Sequence, residues 1–187
     1  MEEYMSKHKR VLNISLSGIF ISLGIVLPFL TGQIPEIGSM LCPMHIPVLI
    51  CGFICGWKYG LIVGFATPLL RSAIFQMPPM YPTAIAMSFE LGAYGLIAGI
   101  LYNIIQNKCK SLILGNYITL IIAMLLGRIV WGIAYFVMAL LDGTLVFTFE
   151  IFITAAFVSA WPGIVLQLLL IPFLITALDK VLNLKEK

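Results

Sequence analysis

The fold class this sequence predicts is an all-α membrane bundle of six helices, with both chain ends in the cytoplasm. Two observations predict it. Apolar residues make up 61% of the chain and charged residues only 10%, a balance that soluble domains do not show. Six apolar segments alternate with short connections, and nearly every Lys and Arg falls on one side of the membrane they imply. With the N-terminus inside, Lys7, Lys9, Arg10, Lys58, Lys108, Lys110, Lys180, Lys185 and Lys187 all lie in cytoplasmic segments. The opposite loops, around 33–42, 77–82 and 142–148, contain no Lys or Arg. Such an excess in short cytoplasmic loops fixes the orientation of inserted helices. The expected location is a bacterial plasma membrane, crossed several times by one domain spanning residues 1–187. The net charge of +3 follows from this orientation and gives no argument for nucleic acid.

Each element follows from length and punctuation. A span needs about 20 apolar residues. The first covers 11–30; it is too long for the h-region of a cleavable signal peptide, and no small-residue cleavage site follows it. A polar loop with Pro35, Gly38 and Pro43 comes next. The second segment, 44–56, is short for a span and ends at Trp57-Lys58-Tyr59-Gly60, an aromatic-plus-lysine signature of the cytoplasmic interface. The third, 61–75, carries Pro68, which should kink it. Pro78, Pro79 and Pro82 form a stiff outer turn. The fourth covers 83–105 and the fifth 117–141. The sixth, 149–178, is interrupted at Pro162-Gly163 and Pro172; such breaks are tolerated at membrane depth where protein or a water-lined space satisfies the backbone.

Charged residues inside these segments are the functional candidates, since an ionisable group at bilayer depth is costly and rarely idle. Arg71 and Glu90 lie at nearly equal distances from the turn at Met80, so an antiparallel hairpin places them at similar depth. They either tie the third helix to the fourth or face a ligand. Arg128 has no carboxylate in its own helix, and Trp131 and Tyr135 follow at i+3 and i+7 on one face. A guanidinium beside aromatic rings suits a small planar or anionic solute; the other reading pairs Arg128 with Glu90 and leaves the rings as packing. Glu150, Thr154, Phe157 and Trp161 share a face of the sixth segment, and Trp161 before Pro162 is placed as a cavity wall. Gln167 lies deeper, suited to satisfying a broken helix backbone.

The first outer loop holds Gln33, Glu36 and His45 among turn residues and apolar neighbours, a composition that can fold down as a lid. One His and one Cys do not make a metal site, and no cofactor is expected. The four cysteines form no disulfide framework; Cys51 and Cys55 share one helix as small packing residues. Ser15, Gly18 and Ser22 recur at i, i+3 and i+7 on the first helix, with Gly18 and Ser22 as a small-xxx-small pair that permits close helix approach. Gly52/Gly56, Gly60/Gly64 and Gly95/Gly99 have the same spacing.

Together these features resemble the substrate-specific (S) component of an energy-coupling factor transporter. The resemblance covers the whole chain: six helices, this length, both ends inside and a small-residue face on the first helix. It is carried most closely by 38–47, by Leu49-Ile-Cys-Gly-Phe-Ile-Cys-Gly-Trp-Lys-Tyr-Gly60 and by Gly64-Phe-Ala-Thr-Pro68, similar to the family's Gly-x-Lys-Tyr-Gly-like turn leading into a Gly-rich helix. It implies a subunit that binds a vitamin or related nutrient from outside and docks on a membrane-embedded T component driven by two ATPases. Gly18 and Ser22 stand where the family usually has Ala-xxx-Ala. The chain looks closest to the folate, pantothenate and pyridoxine-type branch. The expected solute site is lined by Glu36, His45, Arg71, Glu90, Arg128, Trp131, Tyr135 and Trp161, and the expected docking face by Ser15, Gly18 and Ser22. Two buried arginines favour a solute with a carboxylate, phosphate or electron-rich heteroaromatic atom.

Rival classes make different demands. A stand-alone secondary transporter or channel needs a coupling-ion site and two gates, and only Glu90 suits a proton carrier. No inverted repeat of the kind such transporters show is visible. An intramembrane enzyme needs a protease or metalloenzyme signature, and none is found. The sequence has no Walker-type phosphate loop, so ATP hydrolysis falls to partners.

Overall fold

The computed structural model describes residues 2–31, 38, 40–106 and 111–182, and among these the chain is helical throughout, with no strand. The helices are α1 Glu2–Val26, α2 His45–Cys55, α3 Trp57–Phe75, α4 Ile85–Gln106, α5 Leu112–Leu141, α6 Phe149–Ile153 and α7 Trp161–Leu182. A 3₁₀ turn, Leu27–Thr31, extends α1; a turn at Met80–Ala84, kinked at the extended Tyr81 (φ -117°, ψ 135°), precedes α4, and a π-helical turn at Thr154–Val158 follows α6.

Four stretches are long and apolar enough to cross a membrane: Lys7–Leu30, Met80–Gln106, Leu112–Leu141 and Trp161–Leu178. His45–Cys55 and Phe149–Val158 are shorter apolar helices. The 19 residues of α3 are not among the four, because Lys58, Arg71 and its small residues dilute the apolar run. The six segments expected from sequence are therefore four candidate spans, one more polar helix and short pieces. The segment expected as a single sixth helix is divided into α6 and α7 around residues 159–160.

The short helix sits at the centre. All 11 residues of α2 are buried, and at 1.5 Å per residue it is only about 16 Å long. Gly56 ends it with φ 89°, a left-handed conformation that favours glycine, and α3 starts at the next residue. Around α2 lie α1, α3, α4 and α7; α4 also packs on α3 and α5, and α7 on α5. Over half of the apolar stretch of α4 (56%) is buried against 17% for that of α1, so α4 is a core element and α1 a peripheral one.

Glycine sets the spacing between α2, α3 and α4. A Cβ on Gly95 would stand 2.2 Å from the carbonyl oxygen of Gly60, and one on Gly64 would stand 2.2 Å from that of Leu91. Gly52 faces the Gly95 carbonyl in the same way. The pairs Gly60/Gly64 and Gly95/Gly99 expected from sequence thus lie inside the bundle, where backbones touch, whereas Gly56 forms the break between α2 and α3 and a Cβ there would meet nothing within 4 Å. Helix ends are capped locally: Ser111 and Thr148 side chains accept from the Leu114 and Ile151 amides at 3.5 and 3.2 Å. In the loop before α6, the Thr144 hydroxyl and amide donate to Asp142 Oδ1 at 2.7 and 3.1 Å, and these bonds hold the Asp142 carboxyl below its usual range.

Candidate functional site

The one cluster of charge inside the bundle, among the described residues, is built on Glu90. Arg128 Nη1 donates to Glu90 Oε1 at 2.8 Å, and the Tyr94 hydroxyl donates to the same oxygen at 3.0 Å. His45 Nε2 stands 3.4 Å from it. Three helices supply these groups: His45 opens α2, Glu90 and Tyr94 lie one turn apart on α4, and Arg128 comes from the middle of α5. All are buried, Glu90 and Tyr94 almost completely. A lone charge at this depth costs about 2.5–3.5 kcal/mol on insertion scales; the guanidinium and the carboxylate here cancel.

Local sequence explains the fit. A Cβ on Gly127 would fall 2.1 Å from the Tyr94 ring, so the residue before Arg128 must be glycine for the tyrosine to lie beside the guanidinium. The His45 and Tyr94 rings are 5.2 Å apart. From the loop, Cys42 brings its Sγ to 3.6 Å from Arg128 Nη2. Cys42 has φ 47°, a left-handed conformation costing a non-glycine residue about 1–3 kcal/mol. The turn is held by the Cys42 amide donating to the Gly38 carbonyl and the His45 amide donating to the Cys42 carbonyl, at 3.0 and 3.1 Å.

Aromatic rings continue the site from Arg128 toward the loop between α5 and α6. Trp131 stacks against Phe152 with ring centres 6.2 Å apart and packs beside Tyr135 at 5.5 Å. Phe147 adds rings 5.9 Å from Tyr135 and 6.3 Å from Phe152. Phe152 rests on Gly132, where a Cβ would meet its ring at 2.6 Å. Trp131, Tyr135, Phe147 and Phe152 are all half-buried. A neutralised polar base and a partly open aromatic wall can hold a flat solute by stacking and hydrogen bonding.

Of the expected site residues, His45, Glu90 and Arg128 come together, with Trp131 and Tyr135 alongside. Glu36 lies outside the described residues. The pairing of Arg71 with Glu90 does not occur. Depth alone suggested it, but Glu90 shares its face of α4 with Tyr94, toward α2 and α5, whereas Arg71 faces α1. There Arg71 donates to the Ile25 carbonyl at the end of α1 and lies 5.1 and 5.7 Å from the Phe29 and Phe75 rings. Trp161 is not a wall of this cluster: it is 61% exposed. The inward face of α7 is the one carrying Gly163, Gln167, Ile171 and Ile175, and Trp161 stands about 200° around the helix from Gly163. Gln167 satisfies no broken backbone among the described residues, since neither amide atom has a hydrogen-bond partner.

Sequence reasoning missed Tyr94, Cys42, Phe147 and Phe152. Tyr94 had a signal, standing at i+4 from Glu90 on the same face. Cys42 had none, because its reach depends on a left-handed turn.

Ser15, Gly18 and Ser22 are all exposed on one side of α1. A Cβ on Gly18 would meet nothing within 4 Å, and Ser22 Oγ turns back to donate to the Gly18 carbonyl at 2.9 Å.

A family model described as the substrate-specific component of ECF transporters matches residues 13–177. No curated protein and no solved structure matches the chain.

Proposed function

Because the chain belongs to the substrate-specific components of energy-coupling factor transporters, we propose that it captures a vitamin-like nutrient outside the cell and releases it inward together with partner subunits. As such a component it is a membrane transport subunit and not itself an enzyme. The chain crosses the bacterial plasma membrane with both termini cytoplasmic, so the loops near 40–43, 77–82 and 142–148 face outward. The observation that carries the reading is the Glu90–Arg128–His45–Tyr94 cluster lying beside the half-buried Trp131, Tyr135 and Phe152 rings. Solute enters from the outer end, stacks on Trp131 and reaches the polar cluster beneath. Compounds of the pantothenate, pyridoxine or folate type are the first to test.

The exposed Ser15–Gly18–Ser22 face is the docking surface for a membrane-embedded T component, which two ATPases drive. Small residues let a partner helix approach closely, and this stripe has no internal role in the bundle. Toppling of the whole bundle then presents the solute to the cytosol.

The test is mass spectrometry of small molecules that copurify with the chain. A vitamin-like compound is expected, and Trp131→Ala should lose it while keeping the thermal stability of the parent. Recovery of no compound from either protein, with no binding of any of the three vitamin types, would overturn the reading. Uptake into proteoliposomes by this chain alone would instead favour a stand-alone transporter or channel.

A further inference from the structure

Four buried polar atoms have no hydrogen-bond partner among the described residues: His45 Nδ1 and Arg128 Nε in the polar cluster, and both Nε2 and Oε1 of Gln167 on the inward face of α7. Buried polar groups are nearly always satisfied, so such a group calls for an explanation. Gln167 is the most demanding of them. It is only 1% exposed, and its amide offers two donors and an acceptor, all unused.

One segment of chain links the three helices that carry these residues. Met40 and Leu41 lie against α7, where a Cβ on Gly163 would stand 2.6 and 2.7 Å from their carbonyl oxygens. Gln167 is one turn further along the same face of α7. The next residue, Cys42, reaches Arg128 of α5, and its carbonyl accepts from the amide of His45 at the start of α2. Residues 40–42 thus touch Arg128, the start of α2 and the turn of α7 that precedes Gln167, and α7 packs on both α2 and α5. Arg128 stands about one turn deeper than Trp131 on α5, and Gln167 is on the buried face of the helix that packs against the two carrying Arg128 and His45.

Their chemistry restricts what satisfies them. Arg128 is already neutralised by Glu90, and Arg71 is engaged elsewhere, so the region does not ask for an anion. In the tautomer that donates from Nε2 toward Glu90, His45 Nδ1 is an acceptor; Arg128 Nε is a donor and Gln167 is both. A matching group presents donor and acceptor side by side and carries no charge.

We propose that Gln167 is the specificity-determining residue of this site, its carboxamide pairing with the amide-type edge (lactam, imide or carboxamide) of a neutral planar ring that stacks on Trp131. This rests on the capture of a solute argued above and narrows it. Of the three compound types named there, only the pterin of a folate-like molecule places such an edge on a flat ring, and a carboxylate need not enter the polar base.

The test uses the full-length chain in detergent with two sets of probes. Nicotinamide, 6-methylpterin and lumichrome carry the edge; nicotinate and pyridoxine are flat rings without it. At least one edge-bearing probe should bind about tenfold more tightly than the others, nicotinamide being compared directly with nicotinate. Gln167→Leu should erase that preference while leaving the unliganded melting temperature unchanged or higher, because it removes an unsatisfied buried amide. Gln167→Glu, which keeps the size but loses the donors, should erase it as well. Binding of pyridoxine or nicotinate in preference to every amide-bearing probe overturns the assignment and leaves solute capture standing. So does a copurifying compound without an amide edge. A Gln167→Leu protein that keeps the preference but melts well below the parent shows a structural glutamine and also overturns it. Failure of every probe, with nothing copurifying, removes both proposals.

Discussion

Glu90 is the residue on which the site depends, because one carboxylate oxygen gathers a guanidinium, a phenol and an imidazole from three helices. Removing one member of a buried ion pair leaves the other charge uncompensated, which costs about 3–5 kcal/mol. Arg128→Met should therefore unfold in detergent at much lower temperature or denaturant than the parent. Adding Glu90→Gln should recover part of that loss, since the stranded charge is gone. A double variant less stable than Arg128→Met alone would show that the pair is not the dominant interaction. Tyr94→Phe removes one neutral donor to a charged acceptor, with an expected cost of about 1.5 kcal/mol, measured in the same unfolding series. For the same reason Arg128 is a poor probe of ligand binding: its loss disturbs the scaffold together with the site. Trp131, stacked at the half-buried margin, separates the two effects.

At the scale of elements, α2, α3 and α4 meet backbone to backbone, and the glycines there are replaceable only by moving a helix. Gly95→Ala places a methyl group against the Gly60 carbonyl and should cost about 1–3 kcal/mol or more. Gly92→Ala meets nothing nearer than the far end of Leu61 at 3.4 Å, with the Leu61 carbonyl and Phe65 Cβ at 3.7 and 3.8 Å, and should cost far less. Thermal unfolding of the two variants side by side checks this, and equal losses would mean the close approach is not a constraint. This packing was partly legible in the sequence, since Gly60, Gly64, Gly95 and Gly99 stand at helical spacing on consecutive segments. The Arg128–Glu90 pair was legible only as one of two readings. Hydropathy and distance from a turn give the depth of a side chain, and depth made Arg71 and Arg128 equal claimants for Glu90. Which face each arginine occupies decides between them, and that is set by tertiary packing. The division of the last apolar run into α6 and α7 was hinted at by Pro162-Gly163, but the inward face of α7 was not, so Trp161 was placed on the wrong side.

Across the whole molecule, burial is uneven in a way that fits two working surfaces. The polar cluster and its aromatic wall lie between α2, α4, α5 and the loop before α2, while the stripe of Ser15, Gly18 and Ser22 lies on the outer side of peripheral α1. A change on that stripe has room to protrude: nothing approaches a Cβ at Gly18 within 4 Å, whereas one at Gly24 meets Thr67 at 2.6 Å. Gly18→Leu should accordingly leave folding and solute binding by the isolated chain within about 0.5 kcal/mol of the parent, as surface substitutions usually do. If α1 is the docking face, the same variant should lose uptake when expressed with a T component and its two ATPases, because a branched side chain prevents close helix approach. The measurement is paired: solute retention by the purified variant and accumulation by cells carrying the full complex. Retention with lost accumulation places transport coupling on α1 and separates it from solute recognition. Full accumulation by Gly18→Leu would move the docking surface to another face of the bundle, with the exposed sides of α5 and α7 next to be tested.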